Sequence, residues 1–91
     1  MSVRVSLAAL LAERIGEPKE LELDGTSVEE VLRNLSGRYA ALTPLLWKAS
    51  GEFNPLLVVF LNNTDIRGLQ GLATPLNPGD RLTVVSALEG G

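Results

Sequence analysis

The chain contains no cysteine and no histidine. Those two absences exclude a disulfide framework, a thiolate nucleophile, a Cys/His zinc site and a histidine general base. Aromatics are scarce: one Trp, one Tyr and two Phe among 91 residues. Cations are scarce too, with eight Lys and Arg side chains dispersed through a chain of net charge −3. A nucleic-acid surface needs a basic stripe with stackable rings, so nucleic acid is not an expected partner. No apolar run approaches the roughly 20 residues of a membrane span, so a membrane is not expected either. The opening residues Met1-Ser2-Val3-Arg4 lack the apolar core and cleavage site of a signal peptide. The expected location is therefore the cytoplasm.

What remains is enough for one domain. Hydrophobic residues make up 45% of the chain, sufficient for a core of modest stability at this length. Residues 2–6 alternate polar positions with Val3 and Val5, as a half-buried strand does. Leu7, Leu10, Leu11 and Ile15 then recur at helical spacing, with Ser6 as the expected N-cap, Gly16 as the C′ residue and Pro18 as a stop. Residues 19–23 alternate again, with Leu21 and Leu23 on one face and Asp24-Gly25 as the turn.

The main helix follows. Ser27-Val28-Glu29-Glu30 has the form of a capping box, and Thr26 with Glu29 offers the same device one residue earlier. Val28, Val31, Leu32, Leu35 and Tyr39 make its apolar stripe, with Gly37 as its expected frayed end. Glu29 and Glu30 point about 100° apart on such a helix, so capping explains them better than a catalytic pair does. Thr43-Pro44 opens a one-turn helix carrying Leu45, Leu46 and Trp47. Residues 56–61 form an apolar run between Asn54-Pro55 and Asn62-Asn63, too short for a helix and expected as a central strand. A short strand over residues 64–67 and an irregular loop over 68–78 come next. Pro78-Gly79 fits the middle of a type II turn before a last strand over 81–87, with Leu82 and Val84 on one face and Thr83 and Val85 on the other. Strand–strand–helix–strand–strand with one dominant helix predicts an α+β domain, a mixed sheet covered on one face.

Close behind the apolar run from Leu82 to Leu88 stands Gly90-Gly91. A terminal glycine pair arises by chance in about 1% of chains with this much glycine. Two residues without Cβ form a thin thread able to enter a cleft that excludes any side chain. What such a thread delivers is its terminal carboxylate. The expected division is a domain over residues 1–86 and a flexible tail over 87–91, alternatively an incidental frayed end.

From residue 57 onward the chain resembles the MoaD/ThiS family of ubiquitin-like sulfur carriers. The residues that carry the likeness are Val58-Val59-Phe60-Leu61-Asn62-Asn63, Asp65-Ile66-Arg67, Gly71-Leu72-Ala73-Thr74-Pro75-Leu76, Pro78-Gly79-Asp80, Leu82-Thr83-Val84-Val85 and Gly90-Gly91. The Asp-Ile-Arg and Gly-Leu-Ala-Thr stretches look closest to the CysO branch, which supplies sulfur for cysteine synthesis. The first half fits by element order alone. The resemblance implies the β-grasp fold, a mixed sheet packed on one main helix with a Gly-Gly tail.

It also implies a chemistry. A partner ATP-dependent adenylyltransferase would transfer AMP to the carboxylate of Gly91, with Gly90 giving access to the cleft. A sulfur donor enzyme would then displace AMP and leave a thiocarboxylate, which a sulfur-acceptor synthase would use, cysteine first and molybdopterin second. The chain would be a covalent carrier and not an enzyme, binding no cofactor itself, with ATP used by the partner. Because it has no cysteine, any sulfur it holds covalently must sit at that terminus. Glu89 departs from the family, many of whose members place Pro or a small residue before Gly-Gly, and a partner cation would have to take it up.

If Val59 and Leu61 point inward, period two puts Val58 and Phe60 on the open face beside Val85. These three, with Leu88 and Glu89, are the candidate partner-binding residues; the alternative puts Phe60 in the core and Leu61 outside. Asp65 with Arg67 reads as a solvated turn pair. Two other function classes stay open: a protein modifier joined through Gly91 to a lysine amine, and a non-covalent interaction module that ignores the tail.

Overall fold

Val3, Val5 and Leu7 all turn inward and are almost wholly buried, so the first strand outlasts its expected end. In a computed structural model, which describes residues 2–16 and 20–87, β1 spans Ser2–Leu7. Its alternation continues through Leu7 because Leu7 registers with Val84 of a parallel neighbour, and the Ala8 N–H donates to the Val84 carbonyl at 2.8 Å. Ser6 is therefore a strand residue and not an N-cap. Helix α1, Ala9–Ile15, starts from Ala8 with no side-chain cap and ends on Gly16 at φ 65°. Leu11 is buried while Leu10 is 48% exposed, so the stripe expected of this helix is narrower than its spacing suggests. Pro18 lies outside the described residues.

β2 spans Glu20–Asp24 and pairs antiparallel with β1. Gly25 follows because the backbone there runs against the next helix: a Cβ would stand 2.9 Å from the Val31 nitrogen. Helix α2, Val28–Arg38, is capped as expected by Ser27, whose Oγ accepts the Glu30 N–H at 3.2 Å. The return arm differs. Glu30 Oε1 accepts from the Thr26 N–H at 2.6 Å and from the Thr26 hydroxyl at 3.2 Å, while Glu29 pairs with Arg33. Val28, Val31, Leu32 and Leu35 have no exposure at all, each worth about 1.5–3 kcal/mol of burial. The helix runs through Gly37 and stops at Tyr39, whose N–H returns to the Leu35 carbonyl.

A 3-10 turn leads into α3, Thr43–Leu46, with Pro44 in its first turn. Trp47 after it is buried and donates from Nε1 to Ser36 Oγ at 3.1 Å. β3 spans Leu57–Leu61; β4 is only Thr64–Asp65 before the chain turns into a 3-10 helix at Ile66. The loop after it is pinned to the start of α2, with the Val28 N–H on the Thr74 carbonyl and the Leu76 N–H on the Thr26 carbonyl, both at 3.0 Å. Asn77 to Asp80 then make the expected turn, closed by the Asp80 N–H on the Asn77 carbonyl with Gly79 at φ 88°.

β5, Arg81–Ser86, completes a five-stranded sheet of order β2-β1-β5-β3-β4. β1 and β5 are parallel, and the other pairs are antiparallel. The core lies on one face, where Val3, Val5, Val59, Leu82 and Val84 of the sheet meet α2.

Candidate functional site

The alternation of β3 decides which side chains the uncovered face presents. Val59 is 2% exposed, and Leu57 and Leu61 pack against the same core. Val58 and Phe60, one residue out of phase, stand half-buried on the opposite face. Pairing with β5 brings Val58 opposite Val85 and Phe60 opposite Thr83. The structure thus unites Val58, Phe60 and Val85 in one apolar patch, with Leu61 on the core side.

The other half of this face is charged. Arg4 registers with Glu22 on one side and with Arg81 on the other. Arg81 Nη1 reaches Glu20 Oε2 at 3.2 Å, an ion pair that spans β1 because Arg81 and Glu20 sit on its two neighbours. Beyond Phe60 the edge strand carries Asp65, in register with it. Arg67 grips Asp65 with Nη2 at 2.6 Å and Nε at 3.0 Å, and its backbone N–H donates to Oδ1 at 2.9 Å. Those bonds hold the Asp65 carboxyl below its ordinary range and make Arg67 still harder to deprotonate. Asp65 caps its own turn, and Asp80 accepts from the Asn77 N–H at 2.8 Å, so both have structural duties.

The chain leaves the sheet beside this patch. Ser86 registers with Leu57, and the Ala87 N–H donates to the Leu56 carbonyl at 2.8 Å. Ala87, expected as the first tail residue, is therefore tied to the sheet. Leu88, Glu89, Gly90 and Gly91 lie outside the described residues.

The exit is built by a residue that sequence reasoning used only as a strand boundary. Asn54 N–H donates to the Leu46 carbonyl at 2.8 Å and its Nδ2 to the Leu45 carbonyl at 2.9 Å. Its Oδ1 accepts the Leu56 N–H at 2.9 Å, and its carbonyl accepts the Leu57 N–H at 3.1 Å. Asn-Pro before an apolar run was the one available signal. Among the described residues no cluster of acidic side chains has the grouping of a metal site, and no helix is long and apolar enough to cross a membrane.

Residues 5–91 match the profile of the ThiS family. The sulfur carrier protein CysO of Mycobacterium tuberculosis is 29% identical over 93 residues, covering 100% of both chains. Among solved structures, small archaeal modifier protein 1 from Methanosarcina acetivorans superposes with a TM-score of 0.88 at 32% identity, over 99% of this chain and 96% of that one. A BexX/CysO complex from Amycolatopsis orientalis matches with a TM-score of 0.85 at 30% identity, over 98% of this chain and 99% of that one. The fold is the ubiquitin-like β-grasp.

Proposed function

The chain belongs to the ThiS family, and from that membership we propose that it is a sulfur carrier whose cargo sits on Gly91. The carboxylate of Gly91 is a poor electrophile, because its charge and resonance both oppose nucleophilic attack. A partner adenylyltransferase supplies the remedy with its own ATP. A carboxylate oxygen attacks the α-phosphorus, pyrophosphate leaves, and the product is an acyl-AMP anhydride. A sulfide-level sulfur from a donor enzyme then attacks the acyl carbon. AMP departs, and a thiocarboxylate remains for an acceptor synthase. With no cysteine or histidine in the sequence, the chain acts as substrate and carrier and leaves the activating chemistry to its partners. Cysteine synthesis is the first acceptor pathway, from the likeness to CysO over the full length, and molybdopterin the second.

The observation that carries this reading is the place of Ala87. It follows directly on β5 and is tied to the chain before β3 through the Leu56 carbonyl, beside the Val58–Val85 patch. A partner that docks on the patch therefore meets the last residues from a fixed starting point. Partnership is supported by the BexX/CysO complex, in which a relative is bound to another protein.

Intact-mass spectrometry tests it. After incubation with the adenylyltransferase, ATP and a sulfur donor, one oxygen should be exchanged for sulfur, and fragmentation should place it on Gly91. Removal of Gly91 should abolish the exchange without unfolding the domain. The likeness to small archaeal modifier protein 1 supports a second reading, conjugation of Gly91 to a lysine amine. Lysine-linked adducts without any thiocarboxylate would decide for it.

A further inference from the structure

We propose that Asn54 is a positioning residue that fixes where the chain leaves the sheet, and thereby how Gly91 is presented to the activating enzyme. The proposal rests on the carrier reading for its functional half. Its structural half stands on a continuous chain of bonds. Leu46 has no exposure and Trp47 only 6%, so the end of α3 is anchored in the core. Asn54 binds that end twice, through its N–H to the Leu46 carbonyl and its Nδ2 to the Leu45 carbonyl. On its other side it holds β3 twice, through Oδ1 to the Leu56 N–H and its carbonyl to the Leu57 N–H. Leu56, whose side chain is 49% exposed, in turn gives its carbonyl to the Ala87 N–H. The short amide of Asn54 supplies a donor and an acceptor at once. Asp would set a carboxylate against the Leu45 carbonyl, and Gln would be one methylene too long.

A clamp at this point bears on a reaction further along the chain. Four residues follow Ala87, and four extended residues reach at most about 14 Å. With so short a tether, the volume within reach of Gly91 is centred on Ala87 and moves with it. Acyl transfer needs its reacting atoms about 3–3.5 Å apart, and a misplacement of about 1 Å can cost about a hundredfold in rate. Docking through Val58, Phe60 and Val85 should change little, since the pairing of β3 with β5 holds those three residues in place. The signature is therefore a fall in kcat with KM preserved.

Asn54→Ala and Asn54→Asp, compared with the parent chain, test this in two ways. Amide hydrogen exchange by NMR reads the exit directly, with Val84 in the same variant as reference for any global loss of stability. In Asn54→Ala, which loses both side-chain bonds, Ala87 should exchange about tenfold faster relative to Val84. Pyrophosphate release with the adenylyltransferase and ATP should show kcat down by about tenfold or more and KM within about twofold. Asn54→Asp, which keeps the acceptor for Leu56 and loses only the donor to Leu45, should fall between. If Ala87 gains no more exchange than Val84, the clamp does not exist. If Ala87 loosens and kcat holds, presentation does not depend on it. If the parent chain is never adenylylated, the carrier reading fails, while the exchange comparison still decides whether Asn54 holds Ala87.

Discussion

The guanidinium of Arg33 lies over Trp47, its central carbon 3.6 Å from the ring centroid. The same group donates to the Gly51 carbonyl at 3.2 Å and faces Glu29 at 3.5 Å. A single side chain thus joins α2 to the hairpin-like segment that bridges Trp47 to Phe53. Arg33→Ala should destabilise the domain by about 0.5–1 kcal/mol, the range of a cation–π contact that stays open to water, because the Arg33 side chain is 48% exposed. Arg33→Lys should recover only part, because an ammonium has no planar face to stack. Urea unfolding followed by Trp47 fluorescence measures both. Equal stability of all three chains would mean the stack contributes nothing.

Phe60 and Leu82 should separate docking from folding. Phe60 is half-buried on the open face, whereas Leu82 is wholly buried. Leu82→Ala should cost about 2–5 kcal/mol, and Phe60→Ala less than the roughly 3–5 kcal/mol of a core phenylalanine. Binding to the partner should reverse the order, with Phe60→Ala the more damaging. Thermal melts beside a binding titration give both rankings. A large stability loss at Phe60 with binding retained would move the interface elsewhere.

Two glycines near α2 should respond in opposite directions. A Cβ on Gly25 meets the Val31 backbone at 2.9 Å, while one on Gly37 meets nothing within 4 Å. Gly25→Ala should therefore destabilise by about 1–3 kcal/mol through overpacking. Gly37→Ala, inside a helix, should stabilise by up to about 1 kcal/mol. Denaturant midpoints settle the signs. A Gly25→Ala chain as stable as the parent would contradict the close approach.

The Asp65–Arg67 pair has a predictable pH response. The Arg67 side-chain and backbone bonds lower the folded-state pKa of Asp65. Its contribution is then present above the unfolded pKa of about 3.9 and is lost as pH falls through the folded value. At neutral pH nothing titrates there. NMR titration should show the Asp65 midpoint rise in Arg67→Gln, and an unchanged midpoint would deny the coupling. Arg67 is exposed and Asp65 partly so, so added salt should weaken the shift.

The elements most visible in the sequence are those with local causes. The Ser27 cap, the α2 stripe, the Pro44 helix start and the Pro78-Gly79 turn are each written within a few residues. Leu7 was ambiguous because it satisfies both the alternation of β1 and the helical spacing of Leu10 and Leu11. Its pairing with Val84 resolves it, and that contact spans most of the chain. β4 stops at Asp65 because the Arg67 bonds turn the backbone there. The patch followed from period two alone, so Val58, Phe60 and Val85 could be placed together. The clamp at Asn54 could not, because its partners Leu45 and Leu46 are brought to it only by packing. Nothing local marks them.

The parallel pairing of β1 with β5 also governs the order in which the molecule can assemble. Arg4 to Leu7 wait for Arg81 to Val84, a segment near the other end of the chain, and β3 waits for the same strand. During synthesis the nascent chain holds β1 with β2 and the helices, but its two sheet halves have no seam until β5 arrives. Closing so long a loop makes this a late and comparatively slow step. A ribosome that stops before residue 81 leaves both halves with bare edges, a target for aggregation or proteolysis. Gly90-Gly91 follow β5 in synthesis, so a chain that bears them has already made the strand that joins the halves.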